Sequence, residues 1–214
     1  MARKRKEEAI KTRTRILASA LSLFAKKGYD HTTFNDIAAR LKMTKGAVYW
    51  YFKSKEALIV ELVHLALEKF RRQLDRLMPV GELTFPAVAE MMVKNAEGVV
   101  NDVKGRAFFQ LMHCEIRWAD ESMAGVRDQL LKDRQVGPRA AIQRAIENDI
   151  RAGRVRKDVN PVAVSSAAIA LWDGLVKARL DDFLECDFAV TLKNFYDGMW
   201  KSMKMENVKC KMEN

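Results

Sequence analysis

The chain has 214 residues, of which 49% are apolar, enough to bury a substantial core, which excludes wholesale disorder. Residues 1–55 hold 14 Lys/Arg against 4 Asp/Glu, whereas 56–214 hold 24 of each, so the whole net charge of +10 lies in the first quarter. That asymmetry predicts a basic module with an anionic partner, joined to a neutral module.

Apolar residues recur at three- and four-residue spacings nearly throughout, which predicts an all-α chain. Ile10, Ile16, Leu17, Ala20, Leu21 and Phe24 mark a first amphipathic helix. Lys26-Lys27-Gly28 ends it: the lysines suit the negative end of the helix and Gly28 suits a left-handed cap. Thr33 caps a short second helix, with Asp36 three residues on as a capping box, and Ile37, Ala38 and Leu41 inside. Thr44 caps a third, from Lys45 to about Phe52. Ser54 caps a fourth, with Glu56 in its first turn, running to Met78 before Pro79. At about 1.5 Å per residue that helix is about 35 Å long, enough to lead from one domain into another. Further helices are predicted at Phe85–Val103, Arg106–Ala119, Met123–Ala152, Val162–Leu184 and Phe188–Lys204. Gly81, Gly105, Gly153 and Pro161 punctuate them. Pro138 either interrupts the third of these or sits in the first turn after a break. The tail repeats Lys-Met-Glu-Asn at 204–207 and 211–214 and reads as a frayed helix end. The expected division is therefore 1–55, 56–204 and a tail, 205–214.

Several chemistries find no support. Cys114, Cys186 and Cys210 form no CxxC pair and no disulfide framework, as suits a reducing cytosol. His113-Cys114-Glu115 would point about 100° apart along a helix, too divergent to grip one metal ion. GxGxxG, GxxxxGK[ST], GxSxG and HExxH are absent. No apolar run follows the basic N-terminus, and no run of about 20 uncharged apolar residues exists. The expectation is a cytoplasmic protein with no cofactor, no metal and no membrane partner.

Residues 33–52 have the outline of a helix-turn-helix. Small Ala38 lets two helices cross closely, a tight turn falls near Lys42, and Val48 anchors the second helix. That helix presents Lys45, Ala47, Tyr49, Trp50 and Tyr51 within two turns, a length and chemistry suited to a major groove. Gly46 allows close backbone approach. Thr33 and Thr44 place hydroxyls at helix N-termini, where phosphates bind well. Tyr49 and Phe52 could instead be core residues; Phe52 is assigned to the core. Three aromatics crowded beside so basic a segment point to DNA contact.

The segment from Thr12 to Leu58, TRTRILASALSLFAKKGYDHTTFNDIAARLKMTKGAVYWYFKSKEAL, resembles the DNA-binding domain of TetR-family transcriptional regulators. The matching landmarks are Leu23-Phe24, Gly28, Thr33, Ile37-Ala38, Thr44, Lys45-Gly46, Val48-Tyr49, Phe52 and Lys55-Glu56-Ala57-Leu58. The leading MARKRKEEA and the Tyr49-Trp50 pair look most like the AcrR-type branch, whose members control multidrug efflux genes. The resemblance implies an N-terminal three-helix domain followed by a helical ligand-binding and dimerisation domain. It places Lys45 and Ala47 at groove-facing positions, and Thr33, Thr44, Tyr49, Tyr51 and Lys55 on the phosphate backbone. It makes Arg3, Lys4, Arg5 and Lys6 a mobile basic arm. The family usually has glycine at the turn where this chain has Lys42; a left-handed lysine there costs on the order of 1 kcal/mol unless the turn differs.

The same resemblance implies a homodimer that binds a pseudo-palindromic double-stranded operator and is released by a small hydrophobic or amphipathic ligand. Helices 162–184 and 188–204 would pair with their symmetry mates, with Ile169, Trp172, Val176, Phe195, Met199 and Trp200 at packing positions. The ligand would lie among the central helices. Candidate contacts are Met91, Phe109, Met112, Trp118 and Trp172, which adapt to apolar ligands, and the polar His113, Arg117 and Asp173. Each apolar residue could equally be core, and the polar ones could pair together or face solvent. Two other readings are weaker. An enzyme in residues 85–204 lacks a recognisable nucleophile–base pair. A peripheral membrane protein would need bulky apolar anchors beside the basic N-terminus, and the apolar face of helix 10–27 is better used inside a three-helix domain.

Overall fold

The computed structural model describes residues 2–77, 82–132 and 137–205. Ten α-helices are described: α1 (Ala2–Lys27), α2 (Phe34–Leu41), α3 (Lys45–Tyr51), α4 (Lys55–Leu77), α5 (Phe85–Asn101), α6 (Val103–Gln110), α7 (Ala124–Lys132), α8 (Pro138–Arg151), α9 (Pro161–Leu180) and α10 (Phe188–Met203). No strand occurs among the described residues, in keeping with the all-α expectation. Met78 to Gly81, the 133–136 segment and most of the repeated tail lie outside them.

The boundaries depart from the sequence reading where side chains intervene. The basic start is helical from Ala2, so Lys4, Arg5 and Lys6 extend α1 instead of forming a mobile arm. Lys, Arg, Glu and Ala all favour helix, so nothing local stops it. The helix expected over Arg106–Ala119 starts at Val103, because the Asp102 carboxylate accepts the Gly105 N–H at 2.8 Å and caps it. It then loosens into a π turn at Leu111–Glu115. The Ile116 N–H reaches back to Leu111 O at 3.1 Å, and the Trp118 indole N–H takes Met112 O at 2.7 Å. The single helix expected over Met123–Ala152 is two helices, with Pro138 in the first turn of α8, where its missing N–H costs nothing. α9 stops at Leu180, four residues early; Asp182 turns left-handed at φ 59°.

The chain groups into two compact units. The first comprises residues 1–69 and 98–134, the second 70–97 and 135–214. In the first, α1 packs on α2 and α6, and α2 on α3. Its core joins Ile16, Ala20 and Phe24 of α1 to Ile37 of α2, Val48 of α3, Leu58 and Ile59 of α4 and Leu111, all fully buried. Burying each of the larger side chains contributes about 1.5–3 kcal/mol. Gly28 closes α1 at φ +85°, as expected of a left-handed cap. In the second unit α9 packs on α8 and α10, and Phe85, Val88, Ile142, Ile146, Ala168, Val176 and Leu192 are buried.

Candidate DNA-binding surface

The reading head starts with α2. Thr33 Oγ1 accepts the Asp36 N–H at 3.2 Å and donates to Asp36 Oδ2 at 2.7 Å, while the Thr33 N–H donates to the same oxygen at 2.8 Å. This is the expected capping box, and it occupies the Thr33 hydroxyl proton internally. Lys27 Nζ donates to Asp36 Oδ1 at 2.6 Å, tying the end of α1 to the start of α2. The Lys27 ammonium first, then the Thr33 hydroxyl and amide, hold the Asp36 carboxyl well below the usual carboxylate range. Lys27, read from sequence as a helix-end charge, thus has a specific partner.

Phe34, Ile37 and Ala38 are buried, so α2 is fixed by one face. The turn that follows keeps left-handed geometry without glycine, at φ 55° and ψ 42° for Lys42. The Met43 N–H bonds Ala38 O at 2.9 Å and the Lys42 N–H bonds Ala39 O at 3.2 Å. These two bonds satisfy helix-end carbonyls and over-determine the turn, so the lysine tolerates a conformation that costs it about 1 kcal/mol.

Thr44 caps α3 by accepting the Ala47 N–H at 3.1 Å. Val48 is fully buried and Phe52 nearly so, which fixes the rotation of α3 about its axis. Lys45, Gly46, Tyr49 and Trp50 share the opposite, exposed face, with Trp50 68% exposed. A Cβ added at Gly46 would meet nothing within 4 Å, so this face is open. Tyr49 is oriented edge-on against Phe34 with ring centres 4.5 Å apart, and the Lys45 ammonium sits 5.7 Å from the Tyr49 ring. Ala47 and Tyr51 are half-buried, and Tyr51 packs partly against the core.

Two basic side chains act as clamps, Arg13 on the far end of α3 and Lys55 on the loop before α2. Arg13, which the sequence reading did not single out, donates to Tyr51 O at 3.2 Å, pairs with Glu61 at 3.0 Å and lies 4.3 Å over the Phe52 ring. Lys55 Nζ donates to Tyr29 O at 2.8 Å and lies 4.4 Å from the Tyr29 ring. The Tyr29 hydroxyl in turn donates to Glu56 Oε1 at 3.1 Å. Burial, then the Glu56 charge, pushes the Tyr29 phenol up. Burial works against the Glu56 carboxylate, but its own backbone amide, Ser54 and Tyr29 outweigh that and lower it. Lys55 therefore has a second role beside the phosphate contact expected of it: it holds the 29–30 loop against the start of α4.

A buried anchor on each helix, a left-handed turn between them and an exposed basic-aromatic face are the parts of a helix-turn-helix. Residues 16–62 match the family model for bacterial regulatory proteins of the tetR family. The chain carries a TetR-family DNA-binding domain. It is 27% identical over 186 residues to the HTH-type transcriptional regulator TtgR of Pseudomonas putida, covering 84% of this chain and 85% of that one. It is 30% identical over 124 residues to the HTH-type transcriptional regulator AcrR of Shigella flexneri, covering 56% and 57% of the two. Its fold matches the crystal structure of NalD, the secondary repressor of the MexAB-OprM multidrug efflux pump in Pseudomonas aeruginosa. There the TM-score is 0.73 at 23% identity, over 94% of this chain and 99% of that one. The TetR-family chain is a transcriptional regulator, similar to the AcrR type, and not an enzyme.

The eight candidate ligand residues of this TetR-family regulator divide between its two units. Phe109, Met112, His113, Arg117 and Trp118 belong to the first; Met91, Trp172 and Asp173 belong to the second. In the first unit the His113 ring stacks on Phe109 at 4.2 Å. Trp118 is held by Met112 O, and exposed Arg117 pairs with Asp30 at 3.3 Å and Asp120 at 3.2 Å. In the second, Met91 is buried and Trp172 donates to Met92 O at 2.9 Å. Among the described residues no group of three or more His, Cys, Asp or Glu could hold a metal ion.

The second unit also holds a buried charge that the sequence reading missed. Asp149 is fully buried, accepts the Phe85 N–H at 2.8 Å and pairs with Arg154 Nε at 2.6 Å. One carboxylate thus caps α5 and clamps the turn after α8. Its only sequence signal was an acidic residue among the apolar positions of α8.

Proposed function

We propose that this TetR-family regulator is a homodimeric repressor that binds a pseudo-palindromic operator and is released by a small hydrophobic or amphipathic ligand, with multidrug efflux genes as targets. The observation that carries the reading is the α3 face of Lys45, Gly46, Tyr49 and Trp50, exposed and basic while Ala38 and Val48 hold its back. Lys45 and Ala47 read base edges; Thr33, Thr44, Tyr49, Tyr51 and Lys55 meet phosphates. Residues 1–55 act as the DNA-binding part and 56–204 as the ligand-binding and dimerisation part, in the cytoplasm.

Support for a dimer comes from α9. Length and composition alone would let it cross a membrane, and only 17% of its apolar window is buried. It exposes Val162, Ala163, Ser166, Ala167, Ala170 and Gly174, small or apolar residues on which a second helix can pack closely. A second copy of α9 and α10 would cover this face, and the dimer's two α3 helices would enter successive major grooves about 34 Å apart, one turn of DNA. The ligand binds within residues 85–204. It must favour the released conformation, since equal affinity for both shifts nothing.

Fluorescence anisotropy with the chain's own upstream promoter DNA tests the reading. Lys45→Ala should lower affinity and relax sequence preference, because a good base contact contributes about 1–3 kcal/mol. Unchanged affinity and footprint would reject Lys45 as a groove reader. A ligand found by thermal shift among hydrophobic drugs should weaken operator binding; no effect would reject release.

A further inference from the structure

Within the first unit, a groove of about 720 Å³ runs between α1 and α6, with the end of α2 beside it. Arg15, Ser19, Ser22 and Lys26 line it along one face of α1, at spacings of four, three and four residues. Leu21, Leu41, Val103 and Ala107 supply its apolar surface. None of the eight candidate ligand residues named above lies in it.

Two independent observations point to an anionic occupant. The first is charge. Arg15, Lys26, Arg40, Lys104 and Arg106 line the groove against one carboxylate, Asp102, which is already engaged in capping α6. Arg106 spends one N–H on Val100 O at 2.6 Å, whereas Arg15, Lys26, Arg40 and Lys104 have no ion pair among the described residues. The second is Ser19. Ser19 is only 5% exposed, and its Oγ is the one buried side-chain polar atom among the described residues with no hydrogen-bond partner. A buried hydroxyl left unpaired costs about 1–3 kcal/mol. A serine on a helix buried this deeply is expected to be satisfied; here it lines a groove rimmed by cations.

We propose that the α1–α6 groove binds a small amphiphile with one anionic headgroup. Ser19 Oγ and the rim cations, Arg15 and Lys104 foremost, hold the headgroup. Leu21, Leu41, Val103 and Ala107 hold the apolar body. The volume suits a single drug-sized molecule, and the mixture of a few polar groups on apolar walls suits specific binding. Because α1 belongs to the core that supports α2 and α3, an occupant bridging α1 and α6 would alter how the reading head is held. That last consequence rests on the repressor reading; the binding itself does not.

Isothermal titration of the full chain with decanoate, below micelle-forming concentrations, tests it. Decanoate should bind, decan-1-ol at least tenfold more weakly, and inorganic phosphate weaker still. The Arg15→Glu/Lys104→Glu double variant changes exposed side chains only, and should lose at least tenfold in decanoate affinity while keeping its helical circular dichroism. Ser19→Ala should lower decanoate affinity severalfold yet raise the melting temperature, because it removes an unsatisfied hydroxyl. If the double variant misfolds, Ser19→Ala decides. Decanoate binding unchanged in the double variant or in Ser19→Ala, or decan-1-ol binding as tightly as decanoate, overturns the proposal. Operator affinity measured on the same samples separates the two ideas: decanoate binding without any operator binding would sink the repressor reading and leave the groove intact.

Discussion

Replacing Lys42 by glycine should stabilise the reading head. In the left-handed region a side chain's Cβ crowds the following carbonyl, at about 1–2 kcal/mol per residue. Lys42 sits there at φ 55° and ψ 42°. Glycine removes that strain but gives the unfolded chain more freedom, an offset of about 0.5–1 kcal/mol. The net expectation is about 0.5–1 kcal/mol of added stability. The turn's two bonds, Met43 N–H to Ala38 O and Lys42 N–H to Ala39 O, are made by backbone and survive the change. Lys42→Ala is the control: alanine keeps the Cβ strain, loses the same charge, and should leave stability unchanged. Amide hydrogen exchange across α2 and α3 reads the local effect, with protection rising about two- to fivefold in Lys42→Gly, since 0.59 kcal/mol is about one natural-log unit. Equal protection in the glycine and alanine variants, or a loss in glycine, would refute the argument that the lysine is strained.

Three other outcomes follow from the same contacts. Asp149→Ala leaves the Phe85 N–H without its partner and Arg154 with only Glu82, 3.3 Å away; because Arg154 is 40% exposed and keeps that second carboxylate, the cost should be near the low end for a broken buried pair, about 3 kcal/mol, seen as an earlier urea midpoint, and a shift under about 1 kcal/mol would show that water replaces the carboxylate. Asp36, whose folded carboxyl titrates below its unfolded value, contributes stability that is present above about pH 4 and is lost as pH falls through that value toward the folded one; Asp36→Asn should flatten this acid limb of α2 protection, and an unchanged limb would assign the pH dependence elsewhere. Lys55→Ala should reduce the salt slope of operator binding by about one unit, and an unaltered slope would leave Lys55 only its role of holding Tyr29 and Asp30.

The sequence by itself determined whatever is settled within a turn or two of the chain. Thr33, Thr44 and Ser54 cap their helices by bonds spanning three residues, and Gly28 ends α1 for reasons carried in its own backbone. Ala38 and Val48 were legible as anchors because helical periodicity puts each on the inner face of its own helix, and Phe52 was legible as a core residue just past α3. The uneven charge was legible too, as simple counting. What the tertiary structure decided depends on partners far apart in sequence. Arg13 braces Tyr51 across 38 residues, and Asp149 caps α5 across 64. Neither pairing has a local signal, because each exists only after several helices have packed. The same holds for Lys55, legible as a cation but not as the clamp of a distant loop, and for Ser19, an ordinary helical serine until packing buries it beside the α1–α6 groove. The turn at Lys42 shows the division most plainly. The sequence marked a departure from glycine and left two geometries open; the packing of α2 against α1 and α3 chose the left-handed one, because the backbone bonds and buried anchors it preserves outweigh the strain of one side chain.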